Sequence, residues 1–334
     1  MRFAYDDQIA AQPAAVAALL GRSDVPALDP TRPVVLTGMG TSLHACRVAA
    51  AWIMLLTEGA VRAQAVEAHE LALALPLRAD DQVVVVSHRG TKMFPGAALA
   101  RARAAGARTV AVVGQGAPEP VADCVLRTCA DERAFTHTVS YLCALATLGQ
   151  IVARLCGAAG APLERALFEV PAALRETLSA PAPIAVAGRL ARRQPILVTG
   201  FGLDAITAAE AALKIKEGTY QWAEGMSVEM ALHGPISALG PGLGALSFTP
   251  AADDGGRTAL LRKALADLGV VSVTVGEGAE DLPFARTDPL VRPLVAIVPV
   301  QRLVAEIARA VGANPDTIHD EIDPWKTVAG WLKL

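Results

Sequence analysis

Residues 33–42 read Pro-Val-Val-Leu-Thr-Gly-Met-Gly-Thr-Ser, and residues 195–204 read Pro-Ile-Leu-Val-Thr-Gly-Phe-Gly-Leu-Asp. Each copy is a short apolar stretch that runs into a Gly-x-Gly turn, and an alanine-rich segment follows it. The second copy begins 162 residues after the first (195 − 33), a separation that is typical of a domain. The repetition predicts that one α/β unit occurs twice in the chain.

Apolar segments of strand length alternate with helical segments around both copies. Besides the two repeats, we expect strands at 61–66, 82–87, 108–113, 123–127, 220–223, 244–248, 270–275 and 294–298. We expect helices at 43–56, 95–105, 139–155, 206–216, 258–268 and 299–311. Strands that alternate with helices favour βαβ units and parallel sheets covered on both faces. The predicted fold is α/β, with two doubly wound, mostly parallel, flavodoxin-like sheets in tandem.

Prolines mark the boundary between the two halves. Pro162, Pro171, Pro181 and Pro183 surround an amphipathic segment at 163–178, which suits a linker helix. We expect an N-terminal arm and first domain over 1–160, a linker helix over 161–180, a second domain over 181–312 and a C-terminal tail over 313–334.

Composition and charge limit the classes of protein to which the chain can belong. It is 53% hydrophobic and only 4% aromatic, which suits cores of Ala, Val and Leu. The net charge is −3 with Lys and Arg scattered, so neither nucleic acid nor a membrane surface is an expected partner. The longest apolar run, 139–155, contains Gln150 and Arg154. We interpret it as a buried helix, because a membrane span needs about 20 apolar residues.

The cysteines and the first residues favour a cytoplasmic location. None of the five cysteines is in a Cys-x-x-Cys pair, so we expect no disulfides and no zinc site, as in a reducing compartment. Residues 1–12 contain Asp6 and Asp7 and lack the apolar core of a signal peptide.

A dinucleotide cofactor is the alternative that the glycine turns suggest. Gly200, Gly202 and Ala205 satisfy the relaxed Gly-x-Gly-x-x-Gly/Ala pattern. The first copy fails it, because Leu43 stands at the third glycine position, and the second copy has no acidic residue closing a clear strand about 20 residues on. We therefore expect no cofactor.

Loops at the carboxyl ends of the strands are the candidate ligand site, since parallel sheets bind ligands there. The loops at 38–42, 87–92 and 200–204 qualify, although a Gly-x-Gly turn is often only a tight connection. The loop at 87–92 combines two hydroxyls, an imidazole and two cations, which suit an anion. The candidate binding residues are Gly40, Thr41, Ser42, Ser87, His88, Arg89, Thr91 and Lys92.

Glu217 and His233 form a candidate acid–base pair. Glu217 closes one helix, and His233 stands 16 positions later (233 − 217), before a Gly-Pro stop. We expect the two to share one pocket, where a carboxylate and an imidazole can move a proton at neutral pH. Two alternatives stay open: Glu217 lies in a solvated helix stripe with Glu210 and Lys214, and His233 caps a helix end.

The segment at 209–217, with His233-Gly234-Pro235 beyond it, resembles the sugar isomerase (SIS) domain family. The likeness is greatest to the double-domain isomerase half of glucosamine-6-phosphate synthase and its isomerase, deglycase and deaminase relatives. It continues in chain order through 12–13, 38–42, 132–141, 298–301, 314–316 and 326–327. The resemblance implies two tandem SIS domains, active sites shared across a homodimer, and a sugar phosphate or related anionic sugar as ligand.

The resemblance also implies roles for individual residues. Ser42 and the loop at 87–92 would hold the sugar phosphate, and Glu132 and Thr138 lie in a segment that resembles the one after the last strand of the family's first domain.

Four residues further along the chain would carry the chemistry. Glu217 would shuttle a proton between C1 and C2 of the open-chain sugar, and His233, delivered from a dimer partner, would help to open the ring. Lys326 would reach in from the tail and form an imine with a ketose carbonyl, unless it is only a surface charge on a loose tail. Glu229, four residues before His233, would orient the imidazole.

Two departures from the family pattern bear on the substrate. The family's phosphate loop usually reads Ser-Gln-Ser-Gly-x-Thr, whereas residues 87–92 read Ser-His-Arg-Gly-Thr-Lys. Arg89 can bind phosphate or the carboxylate of a sugar acid or amino-acid conjugate. Val139 stands where the synthase has lysine after the threonine. About 30 residues precede the first strand, so we expect no glutaminase activity.

Two functions from different classes follow. The first is an aldose–ketose isomerase or aminotransferase-like enzyme on a phosphorylated or anionic (amino)sugar, with deamination or deglycation as possible coupled steps. The second is a sugar-phosphate-binding sensor or regulatory protein without turnover. Glu217, His233 and Lys326 together favour the enzyme, because a sensor needs only the phosphate loops.

Overall fold

The computed structural model describes residues 2–332, and its centre is two five-stranded parallel sheets. The first sheet has the order β2-β1-β3-β4-β5, with strands β1 (Val34–Gly38), β2 (Ala63–Glu67), β3 (Gln82–Ser87), β4 (Arg108–Val113) and β5 (Cys124–Arg127). The second has the order β10-β9-β8-β6-β7, with strands β6 (Ile196–Gly200), β7 (Ala223–Ser227), β8 (Gly244–Phe248), β9 (Val271–Glu277) and β10 (Leu282–Phe284). The predicted α/β fold with two parallel sheets is confirmed.

Helices connect the strands and flank both sheets. They are α1 (Ala4–Ala17), α2 (Thr41–Leu56), α3 (Ala68–Leu73), α4 (Met93–Ala104), α5 (Val139–Leu155), α6 (Ala161–Ser179), α7 (Ile184–Leu190), α8 (Leu203–Thr219), α9 (Val228–Leu232), α10 (Arg257–Asp267), α11 (Arg292–Val295), α12 (Ile297–Val311) and α13 (Trp325–Trp331). Short 3₁₀ turns occupy Gly157–Gly160, Pro235–Ala238 and Pro289–Val291. The linker helix expected over 161–180 is present as α6.

The central strands explain why the sequence predicts parallel sheets. Every residue of β1, β3, β6 and β8 is buried. A strand that is covered by helices on both faces reads as a continuous apolar run rather than an alternating one. The runs Val83–Val86 and Ile196–Val198 are of this kind.

Two of the predicted strands are wrong. Residues 294–298 belong to α11 and α12, and Leu294, Ile297 and Val298 have no exposed surface. A fully buried helix segment and a buried strand give the same apolar run, so periodicity cannot separate them. The strand predicted at 220–223 begins only at Ala223, because α8 continues to Thr219 and Tyr220 is its C-terminal cap.

The chain divides into two compact units, each with one sheet. Among the described residues, the first-sheet unit comprises 14–132, 139–169 and 330–332, and the second-sheet unit comprises 2–13, 133–138 and 170–329. The N-terminal arm, expected with the first domain, thus groups with the second sheet. The amides of Ala4 and Tyr5 donate to the Asp316 carboxylate at 2.8 and 2.9 Å, and Gln12 donates to Gln301 at 2.6 Å.

The strand order of the first sheet positions its candidate site. β1 pairs with β2 on one side and with β3 on the other, so the direction of winding reverses between β1 and β3. Ligands of open α/β sheets bind in the crevice at such a reversal, outside the carboxyl ends of the strands. The loops that follow these two strands are those at 38–42 and 87–92, which the fold therefore brings to the two sides of one crevice.

Candidate functional site

The loop at 38–42 is shaped for close approach of the backbone to an anion. Gly40 precedes α2 with φ 53° and ψ −125°, a conformation that essentially only glycine adopts. A Cβ on Gly38 would lie 2.8 Å from Cβ of Ser42, so the turn packs tightly on the first residues of α2. The turn leads into the positively polarised N-terminus of a 16-residue helix, which favours an anion nearby. Thr41 and Ser42 are the first two residues of that helix, and both are half-buried.

The loop at 87–92 adds positive charge on the other side of the crevice. Ser87 ends β3 and is buried, whereas Thr91 and Lys92 are exposed, and Lys92 is the residue that directly precedes α4. Partial burial, and then the nearby Arg89 guanidinium, lower the pKa of Lys92. A loop that carries two cations favours an anionic ligand.

His88 lies beneath this loop rather than on its surface. Its side chain is only 9% exposed, and Nε2 is 3.9 Å from an Asp131 carboxylate oxygen. A Cβ on Gly114 would come within 2.7 Å of the imidazole, and the Gly114 amide donates to the His88 carbonyl at 2.7 Å. Burial lowers the pKa of His88, against the opposing effect of Glu132 and Asp131, and Arg89 lowers it further. The structure thus gives His88 a supporting position under the loop.

Glu132 and Thr138 fall in different units. Glu132 is buried in the first-sheet unit, where its carboxylate accepts the Ser140 amide at 2.7 Å near the start of α5. Thr138 has no exposed surface and belongs with the second-sheet unit. The sequence places the two six positions apart (138 − 132) in one segment, and the division of the chain falls between them.

Three charged residues of α8 form a buried cluster in the second-sheet unit. Lys214 and Glu210 have fully buried side chains, and Glu217 is 27% exposed. Lys214 Nζ lies 2.6 Å from Glu217 Oε2 and 3.5 Å from Glu210 Oε1. The solvated-stripe interpretation of these residues is wrong, because α8 packs this face inside the protein. The spacing of four and three residues is visible in the sequence. The sequence does not show that the three charged side chains face the interior, which the structure does.

Within one chain, Glu217 and His233 lie near opposite ends of the strands of the second sheet. Glu217 lies towards the amino ends and His233 at the carboxyl ends. α8 starts at Leu203, just beyond β6, and runs back along the sheet, so Glu217 is about 20 Å from the start of the helix at 1.5 Å per residue. Ser227, the last residue of β7, pairs with Gly200, the last of β6. His233 follows the short helix after β7 and stays at the carboxyl edge. A pocket shared by Glu217 and His233 therefore stays a prediction, one in which His233 comes from a dimer partner.

His233 is exposed and is held by an acidic neighbour. Its side chain is 70% exposed, and Nε2 lies 2.6 Å from Glu229 Oε1. Arg257 donates to the same carboxylate from Nε at 2.6 Å and from Nη2 at 3.1 Å. Hydrogen bonds from Arg257 and then from His233 lower the pKa of Glu229. The Glu229 carboxylate therefore stays ionised and holds Nε2 of His233 in place.

The second glycine loop contains an internal ion pair. Asp204 stands where the first copy has Ser42, and Arg292 Nη2 lies 2.8 Å from its carboxylate, with both side chains almost fully buried. Arg292 also donates to Glu277 at 2.9 Å and to the Thr249 carbonyl at 2.8 Å. Burial raises the pKa of Asp204, and Arg292 opposes the shift. The first turn of α8 thus carries a carboxylate that is already paired with Arg292.

The described part of the chain offers neither a metal cluster nor a membrane span. Within residues 2–332, no three His, Cys, Asp or Glu side chains lie together in a way that could hold a metal ion. None of the helices described there is long and apolar enough to cross a bilayer. The five cysteines are free thiols.

Comparison with known proteins gives both a domain and a set of relatives. Residues 28–154 match the family model of the SIS domain. The glutamine–fructose-6-phosphate aminotransferase [isomerizing] of Streptomyces coelicolor is 30% identical over 351 residues, which cover 92% of this chain and 56% of the relative. The enzyme of the same name from Zymomonas mobilis is 28% identical, and the alignment covers 86% of this chain and 51% of that enzyme. The chain thus spans about half the length of these relatives.

Solved structures share the fold at low sequence identity. The C-terminal domain of glucosamine-fructose-6-phosphate aminotransferase from Francisella tularensis has a TM-score of 0.84 at 17% identity, covering 95% of this chain and 98% of that chain. Glucosamine-6-phosphate deaminase from Thermotoga maritima has a TM-score of 0.74 at 18% identity, covering 94% of this chain and 97% of that chain. Tagatose-6-phosphate ketose/aldose isomerase from Escherichia coli has a TM-score of 0.72 at 19% identity, with 94% and 95% covered. The chain therefore contains a SIS domain at residues 28–154 and is homologous over most of its length to the isomerising aminotransferases.

Proposed function

We propose that this chain is a sugar-phosphate isomerase-like enzyme that moves a proton between C1 and C2 of an open-chain, phosphorylated (amino)sugar. The observation that carries the proposal is the buried cluster on α8, in which fully buried Lys214 lies 2.6 Å from Glu217. Glu217 is 27% exposed, so its carboxylate is accessible to a substrate, and Lys214 holds it in a fixed orientation. A general base requires both properties.

Other residues take supporting roles in this proposal. Ser42 and the cationic loop at 87–92 bind the phosphate at the two helix starts, as the crevice between β1 and β3 suggests. Lys326 reaches the sugar from the tail and forms an imine with the ketose carbonyl. Because Glu217 and His233 lie near opposite ends of the strands in one chain, we infer that His233 acts on the sugar held by a second copy, with Glu229 orienting it. The homodimer is therefore part of the proposal.

The mechanism follows from these positions. His233 assists ring opening by moving a proton between the anomeric hydroxyl and the ring oxygen. Glu217 then removes the C2 proton of the aldose and returns it to C1 through an enediol. A hydroxyl proton passes from the C2 oxygen to the C1 oxygen, so that the C1 carbonyl becomes an alcohol and the C2 alcohol becomes a ketone. Deamination or deglycation would require a nitrogen leaving group at the same carbons, and the same base and imine chemistry would serve it.

Ligand binding followed by proton exchange tests the proposal. The thermal midpoint is measured with fructose 6-phosphate, glucosamine 6-phosphate, fructose and gluconate, since a ligand of the folded state raises the midpoint. We expect the two phosphates to raise it and fructose to leave it unchanged. The phosphates that bind are then incubated in deuterated water, and deuterium at C2 is measured by NMR. A shift without exchange would identify a binding protein instead, and no shift with any phosphate would refute the phosphosugar site.

A further inference from the structure

Tyr220 ends α8 in a conformation that tyrosine rarely adopts. Its φ and ψ are 61° and 13°, in the left-handed region, and its amide donates to the Lys216 carbonyl at 3.2 Å. Helices commonly end with glycine in this conformation, because a side chain strains it. Backbone strain at a non-glycine residue points to a role for the side chain.

The Tyr220 hydroxyl holds two points of the C-terminal segment. It donates to the Asn314 carbonyl at 2.9 Å, and it accepts the amides of Asn314 and His319, each at 3.1 Å. One oxygen thus makes three hydrogen bonds and fixes both ends of residues 314–319 against the end of α8. Without this oxygen, two backbone amides of the segment would lose their acceptor.

The Tyr220 ring begins a stack that reaches Lys326. The imidazole of His319 lies over it with ring centroids 3.5 Å apart and an angle of 22° between the planes. Trp325 lies on the other side of that imidazole, at 4.1 Å and 27°. Lys326 follows directly, and its amide donates to the Ile322 carbonyl at 3.0 Å. Burial lowers the pKa of His319, which favours the neutral ring that such a stack accommodates.

The same helix end also carries Glu217, three residues before Tyr220. The side chains of α13 are all exposed, including Trp325 at 49%. The hydroxyl and the stack therefore connect the helix of the candidate base to the segment that bears the candidate imine lysine.

We propose that Tyr220 is a positioning residue that sets the place of Lys326 relative to Glu217, through its three hydrogen bonds to residues 314–319 and its stack with His319 and Trp325. The inference rests on the proposed function for the role of Lys326, although the docking of the tail is independent of it. Positioning matters because a displacement of about 1 Å at a reacting group can reduce its rate by about 100-fold.

Two substitutions separate positioning from stability. Tyr220→Gly removes the ring and the hydroxyl but suits the left-handed backbone, so the fold should keep its thermal midpoint. Tyr220→Phe keeps the ring and removes the three hydrogen bonds. Trp222→Phe is the matched control, because Trp222 is an exposed aromatic two residues away that lies outside the stack.

Amide hydrogen exchange reports the docking of the tail without any ligand. In Tyr220→Gly and Tyr220→Phe, we expect the amides of Asn314 and His319 to lose about tenfold or more of their protection, as exposed amides with weakened acceptors do. Trp222→Phe should leave both unchanged. Unchanged protection in Tyr220→Gly would overturn the proposal.

Borohydride trapping then tests the position of Lys326. Fructose 6-phosphate is incubated with each full-length variant, the imine is reduced, and the Lys326 peptide is quantified by mass spectrometry. We expect the trapping rate to fall by about 100-fold in Tyr220→Gly and less in Tyr220→Phe, with the concentration of sugar phosphate for half-maximal rate unchanged. Equal trapping in wild type and Tyr220→Gly would refute positioning. If the wild type itself neither binds phosphates nor traps, the proposed function fails, and hydrogen exchange alone decides whether Tyr220 docks the tail.

Discussion

Lys214 Nζ lies 2.6 Å from Glu217 Oε2, and the lysine side chain is completely buried. A buried ammonium is stable only with anions beside it, and Glu217 and Glu210 supply them. Lys214 therefore contributes in two ways. It forms part of a buried ion pair that the fold needs, and it fixes the orientation of Glu217, the candidate base.

Glu217→Gln should abolish deuterium exchange at C2 of a bound sugar phosphate. An amide has nearly the same shape but cannot accept the proton, so ligand binding should stay close to wild type. NMR of the recovered sugar measures the exchange, and the thermal shift with the same ligand measures binding. Exchange that persists in this variant would show that another group is the base.

Lys214→Met should destabilise the protein by about 3 kcal/mol, because it removes one partner of a buried ion pair and leaves carboxylates in a desolvated place. The control is Lys263→Met on α10, where Lys263 and Asp267 form an ion pair 2.5 Å long with 71% and 65% of the side chains exposed. That substitution should change the stability by no more than about 0.5 kcal/mol. Urea unfolding of both variants measures the difference, and equal losses would contradict a buried role for Lys214.

Gly114→Ala should destabilise the protein at the loop of residues 87–92, because Gly114 packs against His88 of that loop. The new methyl group would lie 2.7 Å from the His88 ring, and overpacking of this kind destabilises by about 1–3 kcal/mol. Gly96→Ala in α4 is the control, because the added Cβ meets no atom within 4 Å. It should stabilise by about 0.5–1 kcal/mol, since alanine favours a helix over glycine. Thermal midpoints with and without sugar phosphate measure both effects, and a neutral Gly114→Ala would contradict the packing of His88.

Replacing Arg89 by Ser and Lys92 by Thr should reduce both the affinity for a sugar phosphate and its dependence on salt. Cations that contact an anion make binding weaker as ionic strength rises, whereas hydroxyl donors do so far less. Arg103→Ser, in the last turn of α4 at the opposite end from the loop, serves as the control. Isothermal titration at low and high salt gives both quantities. A salt dependence that survives the double substitution would place the binding cations elsewhere.

Stability should decrease as the pH falls below about 6.5, the ordinary pKa of histidine, in part because of His88. Burial lowers the pKa of His88 in the folded protein, despite the opposing carboxylates of Glu132 and Asp131. The unfolded chain therefore takes up a proton first as the pH falls, and this proton favours unfolding until the folded state also binds one. Urea midpoints at pH 8 and pH 5.5 should differ less in His88→Asn than in wild type. An equal difference in the two proteins would remove His88 as a cause.

Much of the fold could be read from apolar runs and glycine turns. The bounds predicted for β3, β4, β8 and α5 agree with the structure, because a buried strand or helix carries its whole signal in its own residues. The segment at 294–298 shows the limit of this approach. Its apolar run is equally compatible with a buried helix, and only the elements packed around it decide between the two.

The sequence by itself determined the duplication, the parallel sheets and the two glycine-rich helix starts, since these depend on residues that are neighbours in the chain. Only the tertiary structure decided which residues act together. It buries Lys214 between two carboxylates, separates Glu217 from His233 by the length of α8, fills the second loop with Asp204 and Arg292, and brings the tail to Tyr220. The physical reason is that burial, and the distance between residues far apart in sequence, arise from packing, which no local pattern encodes.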